Sequence, residues 1–261
     1  MTIALDIGGT NINGALLRGL SIIKRKKKST DAQRGIETVV ERIIDTVREL
    51  IRTANVSESN IQGIMLSMPG QIDRKTGTVL FTPNIGFDNY PLASRLQKVF
   101  GLHVVLENDV NAGTYGEYLS GAGHGFSNIL GVFPGTGVGG CIIIDGKLHL
   151  GSTGNAGEVG HMIIREGGPL CNCGQYGCLE ALAGRLGMAK DAASLASSGK
   201  ASSTYQRAGT DLKNYKSKVF EKAYEDGEDE IIQIVERSAY FLGIGIANLI
   251  NIIDPQIVII G

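Results

Sequence analysis

Residues 158–180 read EVGHMIIREGGPLCNCGQYGCLE, and this stretch carries three of the chain's four cysteines beside a histidine. Thiolate and imidazole groups together suit Zn²⁺, and four of them close a tetrahedral site. The turn residues Gly174 and Gly177 allow a short loop to wrap around an ion. The stretch therefore predicts a structural zinc site, because four protein ligands leave no open position for a catalytic water. The predicted ligands are His161, Cys171, Cys173 and Cys178.

Disulfides and a chance cluster are the alternative interpretations of these cysteines. Cysteines separated by a single residue bridge poorly for steric reasons, and no secretory signal peptide begins the sequence. Reduced cysteines and the lack of an export signal predict a cytoplasmic protein. Two carboxylates, Glu158 and Glu180, flank the loop, so a metal that orders the loop would also fix both of them.

Composition limits the classes of partner. The chain has 261 residues, enough for one large domain or two modest lobes, and its formal net charge is −1. The net charge therefore gives no overall electrostatic attraction to nucleic acid or to an anionic membrane. The one basic run, residues 24–28, favours the solvated face of a hairpin over a nucleic-acid patch. No apolar run approaches the roughly 18 residues that a transmembrane helix needs.

Two glycine turns interrupt apolar segments of the chain. Segments 3–7 and 14–17 flank the turn Gly8-Gly9-Thr10, and segments 129–133 and 141–144 flank residues 134–140, PGTGVGG. Exposed backbone N–H groups in such turns bind phosphate oxygens, although a plain hairpin turn is the alternative for the first turn alone. Because the pattern occurs twice, more than 120 residues apart, it predicts two related lobes. We expect each lobe to present a phosphate-binding hairpin to a shared cleft.

Strand and helix signals between the two turns predict a mixed sheet covered by helices. Apolar residues recur at three- and four-residue steps over 35–54, which predicts a helix, and a strand over 104–106 delivers Glu107-Asn108-Asp109 at its end. Ligands of open α/β sheets collect at the carboxyl ends of strands. A helix N-cap is the structural alternative for Asp109. A final strand over 256–260 stops at Gly261 without a covering helix, so the sequence looks cut short.

These motifs together resemble those of ROK-family sugar kinases, within the superfamily of actin, hexokinase and heat-shock ATPases. DIGGTN at 6–11 is similar to the family's first phosphate loop, and GTGVGG at 135–140 to its second. ENDVNA at 107–112 resembles the catalytic strand end. GEVGH at 157–161, followed by CNCGQYGCLE at 171–180, resembles the zinc-bearing signature and is the most specific match.

The resemblance implies an α/β fold of two ribonuclease H-like lobes, 1–110 and 111–261, with mixed sheets flanked by helices and a cleft between them. It makes Asp109 the general base, gives His161 both a zinc-ligating and a sugar-binding nitrogen, and implies Mg²⁺ with ATP and a homodimer. An acid at the strand end, Asp6, could hold the Mg²⁺ through water. The implied sugar contacts are Gly70, Asn84, Asn108, Asp109, Glu158, His161 and Glu180. The implied nucleotide contacts are Asp6, Gly8, Gly9, Thr10, Asn11, Gly135, Thr136 and Gly137.

The resemblance implies ATP-dependent phosphorylation of the 6-hydroxyl of a hexose, with glucose as the first expectation. Family glucokinases often carry Pro-Gly-Trp after the asparagine matching Asn84, whereas this chain reads NIGFDNYPL and has no tryptophan. An N-acetylhexosamine, fructose or allose kinase and a polyphosphate donor are therefore alternatives. A non-catalytic sugar-binding regulator is another. ROK repressors place a helix-turn-helix segment ahead of this body, and a first strand at residue 3 favours the kinase.

Overall fold

The computed structural model describes residues 1–261, and the chain divides into two compact units. Unit 1 comprises residues 1–121 and 151–155, and unit 2 comprises residues 122–150 and 156–261. The sequence-based division after residue 110 differs from this one. It would cut the helix Asp109–Ser120 after its second residue, although this helix packs on the strands Gly63–Met68 and His103–Asn108.

Unit 1 is built on a five-stranded mixed sheet with a smaller three-stranded sheet beside it. Its strands are β1 (Thr2–Ile7), β2 (Asn11–Arg18), β3 (Ser21–Ser29), β4 (Gly63–Met68), β5 (Gln71–Asp73), β6 (Thr78–Phe81), β7 (Asp88–Tyr90) and β8 (His103–Asn108). Its helices are α1 (Ile36–Ala54), α2 (Leu92–Phe100) and α3 (Asp109–Ser120). The large sheet has the order β3-β2-β1-β4-β8. The first three strands are antiparallel, while β4 and β8 run parallel to β1.

Helix α1 covers one face of this sheet, and it follows the predicted helix over 35–54 closely. Its apolar positions recur every three or four residues, so they form one stripe that packs on β2 and β3. Val39, Ile43 and Val47 in this stripe are fully buried. The helix ends at Asn55, whose left-handed backbone lets its N–H return to the carbonyls of the last turn.

The basic run of the sequence lies on β3, at the edge of the sheet. Two of its lysines, Lys26 and Lys28, place Nζ atoms 2.5 and 2.9 Å from the Glu49 carboxylate on α1. Hydrogen bonds from both lysines lower the pKa of Glu49 to about 2. The run thus forms ion pairs with its own covering helix.

Unit 2 repeats the plan of unit 1 with fewer strands. Its strands are β9 (Ile129–Pro134), β10 (Val138–Ile144), β11 (Lys147–Leu148) and β12 (Ile257–Ile260), and its helices are α4 (Leu179–Ala183), α5 (Arg185–Ser197), α6 (Ser202–Ala208), α7 (Ser217–Glu225) and α8 (Asp229–Ile253). The sheet order is β11-β10-β9-β12. In both units an antiparallel hairpin is extended by a strand parallel to its first member. The predicted internal repetition is therefore present in the topology, and the α/β class with mixed sheets is confirmed.

Helices α5 to α8 build a second core beside the sheet of unit 2. Four alanines of α5 pack in this core with the fully buried Tyr215 and with Ile231 of α8. Small alanine side chains allow the helices to approach closely.

None of the helices in the chain is both long enough and apolar enough to span a bilayer.

Candidate active site

The four predicted metal ligands meet in unit 2. The ligand atoms of His161, Cys171, Cys173 and Cys178 all lie within 4.8 Å of one another, and none of these three cysteines forms a disulfide. Cys171 Sγ is 3.7 Å from His161 Nδ1, and Cys173 Sγ is 3.7 Å from Cys178 Sγ. A tetrahedron with bonds of about 2.3 Å from zinc to sulfur holds its sulfurs about 3.8 Å apart. The donor set and its spacing therefore fit a zinc ion.

Glycines close the loop that carries these ligands. Gly177 has φ +77°, and a Cβ there would lie 1.7 Å from the carbonyl oxygen of Arg165, so only glycine fits. Burial raises the pKa of the Cys171 thiol to about 12 and also raises the pKa of Cys178, whereas the Gln175 N–H lowers that of Cys173. Because metals bind thiolates, a bound cation would displace these protons.

His161 presents its two ring nitrogens to different neighbours. Nδ1 faces the thiol of Cys171, while Nε2 lies 4.0 Å from Glu158 Oε2. The Glu158 side chain is 58% exposed, so its carboxylate is open to an additional hydrogen-bonding partner. This orientation leaves Nε2 on the side of Glu158 when Nδ1 serves the metal cluster.

Glu180 links the metal cluster to the second glycine turn. Its Oε2 accepts a hydrogen bond of 3.3 Å from the Val138 N–H, and its Oε1 accepts one of 3.6 Å from the Cys171 thiol. A Cβ on Gly137 would lie 1.9 Å from Glu180 Oε2, so a side chain at this position would displace the carboxylate from the turn. In this arrangement the carboxylate predicted to bind sugar also supports the start of β10.

Each glycine turn offers backbone N–H groups that no atom of the chain accepts. In the first turn Gly8 N–H donates to Asn11 O at 2.9 Å, while those of Gly9 and Thr10 have no acceptor in the chain. In the second turn Gly135 N–H donates to Gly137 O at 2.8 Å, and the N–H groups of Thr136 and Gly137 have none. Pairs of unsatisfied N–H groups in a tight turn form an anion-binding concavity.

The first turn is held in place by groups of unit 1. The Thr30 hydroxyl donates to Gly8 O at 2.6 Å, and a Cβ on Gly9 would lie 3.2 Å from the Cβ of Asn84. Asp6, at the end of β1, accepts hydrogen bonds from Asn13 Nδ2 at 3.2 Å and from the Ser67 hydroxyl. The Asp6 carboxylate is exposed, and its oxygens are the type of ligand that Mg²⁺ prefers.

The junction of β8 and α3 separates a capping residue from the candidate base. Asn108 Oδ1 accepts hydrogen bonds from the N–H groups of Val110 and Asn111, at 2.9 and 3.2 Å, and is therefore the N-cap of α3. Asn108 Nδ2 also donates to Gly70 O at 3.4 Å. Asp109 is the first helical residue, so the structural alternative that made it the N-cap is wrong.

A buried ion pair beneath this junction was not predicted from the sequence. Glu107 is 7% exposed, and Arg74 donates to both of its carboxylate oxygens, with 2.7 Å between Arg74 Nε and Glu107 Oε2. Glu107 Oε1 also accepts from Asn108 N–H at 2.8 Å and from Asn111 Nδ2 at 3.0 Å. The carboxylate thus ties the end of β8 to the first turn of α3 on both sides of Asp109. In the sequence, the available signal for this pair was the acid Glu107, which directly follows a predicted apolar strand. Arg74 gave no such signal.

The predicted site residues fall into two groups by unit. Unit 1 holds Asp6, Gly8, Gly9, Thr10, Asn11, Gly70, Asn84, Asn108 and Asp109, and unit 2 holds Gly135, Thr136, Gly137, Glu158, His161 and Glu180 with the cysteines. Within unit 1 the contacts join Asn108 to Gly70 and the first turn to Asn84. Within unit 2 they join the metal cluster to the second turn.

Two mixed sheets of one plan, each with a glycine turn that offers unsatisfied N–H groups, define an α/β protein of duplicated architecture. The model of the ROK family matches residues 2–261, and the chain belongs to the ROK family. It is 35% identical to the glucokinase of Halalkalibacterium halodurans over 264 residues, which cover 99% of this chain and 79% of that protein.

The chain is also similar to a solved glucokinase structure and to a repressor. The structure of a ROK-family glucokinase from Streptomyces griseus in complex with glucose and AMPPNP matches with a TM-score of 0.82 and 32% identity, covering 100% of this chain and 82% of that one. A putative xylose repressor from Caldicellulosiruptor sp. is 32% identical over 100% of this chain and 65% of its own length. The family therefore contains sugar kinases and sugar-responsive regulators.

Proposed function

We propose that this chain is an ATP-dependent kinase that phosphorylates the 6-hydroxyl of glucose. The observation that carries the proposal is the similarity, over the whole of this chain and 82% of the other, to a glucokinase whose structure holds glucose and AMPPNP. The unsatisfied N–H groups of the two glycine turns support it, because phosphoryl transfer depends on donors that hold and neutralise phosphate oxygens.

In this proposal Asp109 is the general base. A sugar hydroxyl that attacks the terminal phosphorus of ATP must lose its proton, and a carboxylate within hydrogen-bond reach accepts it. Asn108 caps helix α3 beside Asp109, and the Arg74–Glu107 pair holds the backbone on both sides of it. The backbone that carries the Asp109 carboxylate is therefore fixed. General-base catalysis of this kind contributes about 10²–10⁴-fold to the rate.

Sugar recognition in this proposal uses amide and carboxylate groups. The predicted contacts are Gly70, Asn84, Asn108, Asp109, Glu158, His161 and Glu180. Groups that donate and accept in pairs suit a ring of hydroxyls. A site of this kind discriminates against sugars that lack one hydroxyl, because a polar group covered by the bound sugar would then go unpaired.

The two metals have separate roles in this proposal. Asp6 would hold Mg²⁺, which neutralises phosphate charge when it is bound with ATP. His161 and the three cysteines would hold a structural zinc, which orders the segment between Glu158 and Glu180. The active form in this proposal is a homodimer, which size-exclusion chromatography with light scattering tests.

A panel of sugars and donors tests the proposed substrate. Glucose, mannose, fructose, allose and two N-acetylhexosamines are each assayed with ATP and Mg²⁺ in a coupled assay of ADP release. Glucose is also assayed with polyphosphate by the formation of glucose 6-phosphate, because this donor releases no ADP. We expect the largest kcat/KM for glucose with ATP. A larger kcat/KM for an N-acetylhexosamine, fructose or allose would replace glucose as the substrate and leave the reaction type unchanged.

A sugar-binding regulator is the second candidate, and the similarity to a xylose repressor favours it. Calorimetry with glucose and with xylose separates the two functions. Binding of xylose but not glucose, with no ADP release for any sugar, supports the regulator. Glucose binding with turnover supports the kinase.

A further inference from the structure

The start of helix α5 is docked against the second glycine turn. The backbone N–H groups of Arg185 and Leu186 donate to Gly135 O and Thr136 O, each at 3.0 Å. A Cβ on Gly184, the residue before α5, would lie 3.1 Å from the Cα of Gly137. The turn and the first residue of α5 therefore form one tightly packed assembly within unit 2.

The side chain of Arg185 returns to the same turn. Its Nη2 donates to Thr136 Oγ1 at 2.6 Å, and its Nη1 donates to the carbonyl oxygen of the buried Tyr215 at 3.0 Å. Both acceptors are neutral. No carboxylate oxygen lies within 4.0 Å of this guanidinium, whereas Arg42, Arg74 and others in the chain form ion pairs.

A partly buried cation without a carboxylate partner at a phosphate-binding turn is suited to an anionic ligand. The guanidinium is permanently charged, and its N–H groups match phosphate oxygens. Because Thr136 Oγ1 accepts a hydrogen bond from Arg185, the hydroxyl proton is available for another acceptor. The turn thus combines this hydroxyl, the two unsatisfied N–H groups of Thr136 and Gly137, and a positive charge.

We infer that Arg185 is a phosphate-binding residue for the nucleotide, and that it also orients the Thr136 hydroxyl toward a phosphate oxygen. The inference rests on the proposed kinase function and adds a residue that neither turn motif contains. It assigns part of the charge neutralisation of ATP to the first residue of α5.

Calorimetric titration with AMPPNP and Mg²⁺ tests the inference on Arg185→Gln and Arg185→Lys. The matched control is Arg237→Gln, which removes an arginine of the same unit that is paired on the surface with Asp191. We expect Arg185→Gln to weaken AMPPNP binding by about 10-fold to 100-fold, as for a lost charge-assisted hydrogen bond. Arg185→Lys should recover part of the affinity, and Arg237→Gln should bind within about twofold of the wild type.

Titrations with AMP and with glucose separate a phosphate contact from a general loss of structure. The penalty in Arg185→Gln should be smaller for AMP than for AMPPNP, and glucose affinity should not change. Unchanged AMPPNP affinity, or an equal penalty for AMP and AMPPNP, overturns the assignment of Arg185 alone. A wild-type protein that binds glucose and no AMPPNP overturns the proposed kinase and this inference with it.

Discussion

The buried pair of Arg74 and Glu107 gives the sharpest prediction about stability. Its side chains are 20% and 10% exposed, and the Glu107 carboxylate accepts from Arg74, from Asn108 N–H and from Asn111 Nδ2. Arg74→Met removes the only cation and leaves a buried carboxylate with two neutral donors. Breaking a buried pair in this way costs about 3–5 kcal/mol of unfolding free energy. A loss of about 3 kcal/mol, the lower of these two figures, corresponds to a fall in Tm of about 6–12 °C. We therefore expect Arg74→Met to lower Tm by at least this amount.

Two further variants test whether an unpaired buried charge causes this loss of stability. In Arg74→Met/Glu107→Gln the buried group is neutral and still accepts from Asn108 and Asn111, so the double variant should be more stable than Arg74→Met alone. The control Arg237→Met breaks a pair whose side chains are 50% and 55% exposed, and it should cost at most about 1 kcal/mol.

Urea denaturation followed by circular dichroism measures all four proteins, and kcat is measured at a temperature where each is folded. Because the pair anchors the backbone on both sides of Asp109, kcat of Arg74→Met should fall by about tenfold to hundredfold. An Arg74→Met variant within about 1 kcal/mol of the wild type, or a double variant less stable than the single one, would show that an unpaired buried charge does not cause the loss.

Three other perturbations test the metal cluster, the edge strand and the second turn. Cys173→Ala should lose bound zinc and glucose affinity together, while Cys141→Ala keeps its metal; equal zinc content by elemental analysis in both variants contradicts the ligand assignment. Glu49 has its pKa lowered from 4.5 to about 2, so its ion pairs stabilise the fold above about pH 4.5 and are lost as the pH falls toward 2. The Tm difference between wild type and Glu49→Gln should shrink over that interval, and a constant difference argues against the pairing. Gly137→Ala should displace the flexible Glu180 carboxylate from the Val138 N–H and weaken AMPPNP binding with little change in Tm. Unchanged AMPPNP affinity would show that the contact of Glu180 with this turn does not support nucleotide binding.

Features set by local sequence could be predicted, and features set by distant contacts could not. The metal cluster follows from spacing, because its cysteines lie within one short loop whose glycines dictate the turn. Helix α1 follows from a stripe of large apolar residues. By contrast, Arg74 and Glu107 are 33 positions apart and meet only because β5 and β8 fold onto each other.

The sequence pattern of helix α5 predicts its buried face less clearly than that of α1. Its buried positions are alanines, which bury little apolar area and hardly differ from exposed small residues in a sequence pattern. The contact of Arg185 with the second turn therefore had no local signature. The capping role at the β8–α3 junction was also ambiguous, since Asn108 and Asp109 are both good N-cap residues and only the backbone geometry separates them.

Glucose-dependent ADP release by the wild type and by Asp109→Ala tests both the kinase function and the role of Asp109 as the base. A positioned carboxylate base contributes about 10²–10⁴-fold to the rate, so we expect turnover in the wild type and a kcat at least about 100-fold lower in Asp109→Ala, with glucose still bound. Retention of more than about a tenth of the wild-type kcat in Asp109→Ala would contradict the assignment of the base. A wild-type protein that binds glucose and transfers no phosphoryl group to it would contradict the kinase function itself.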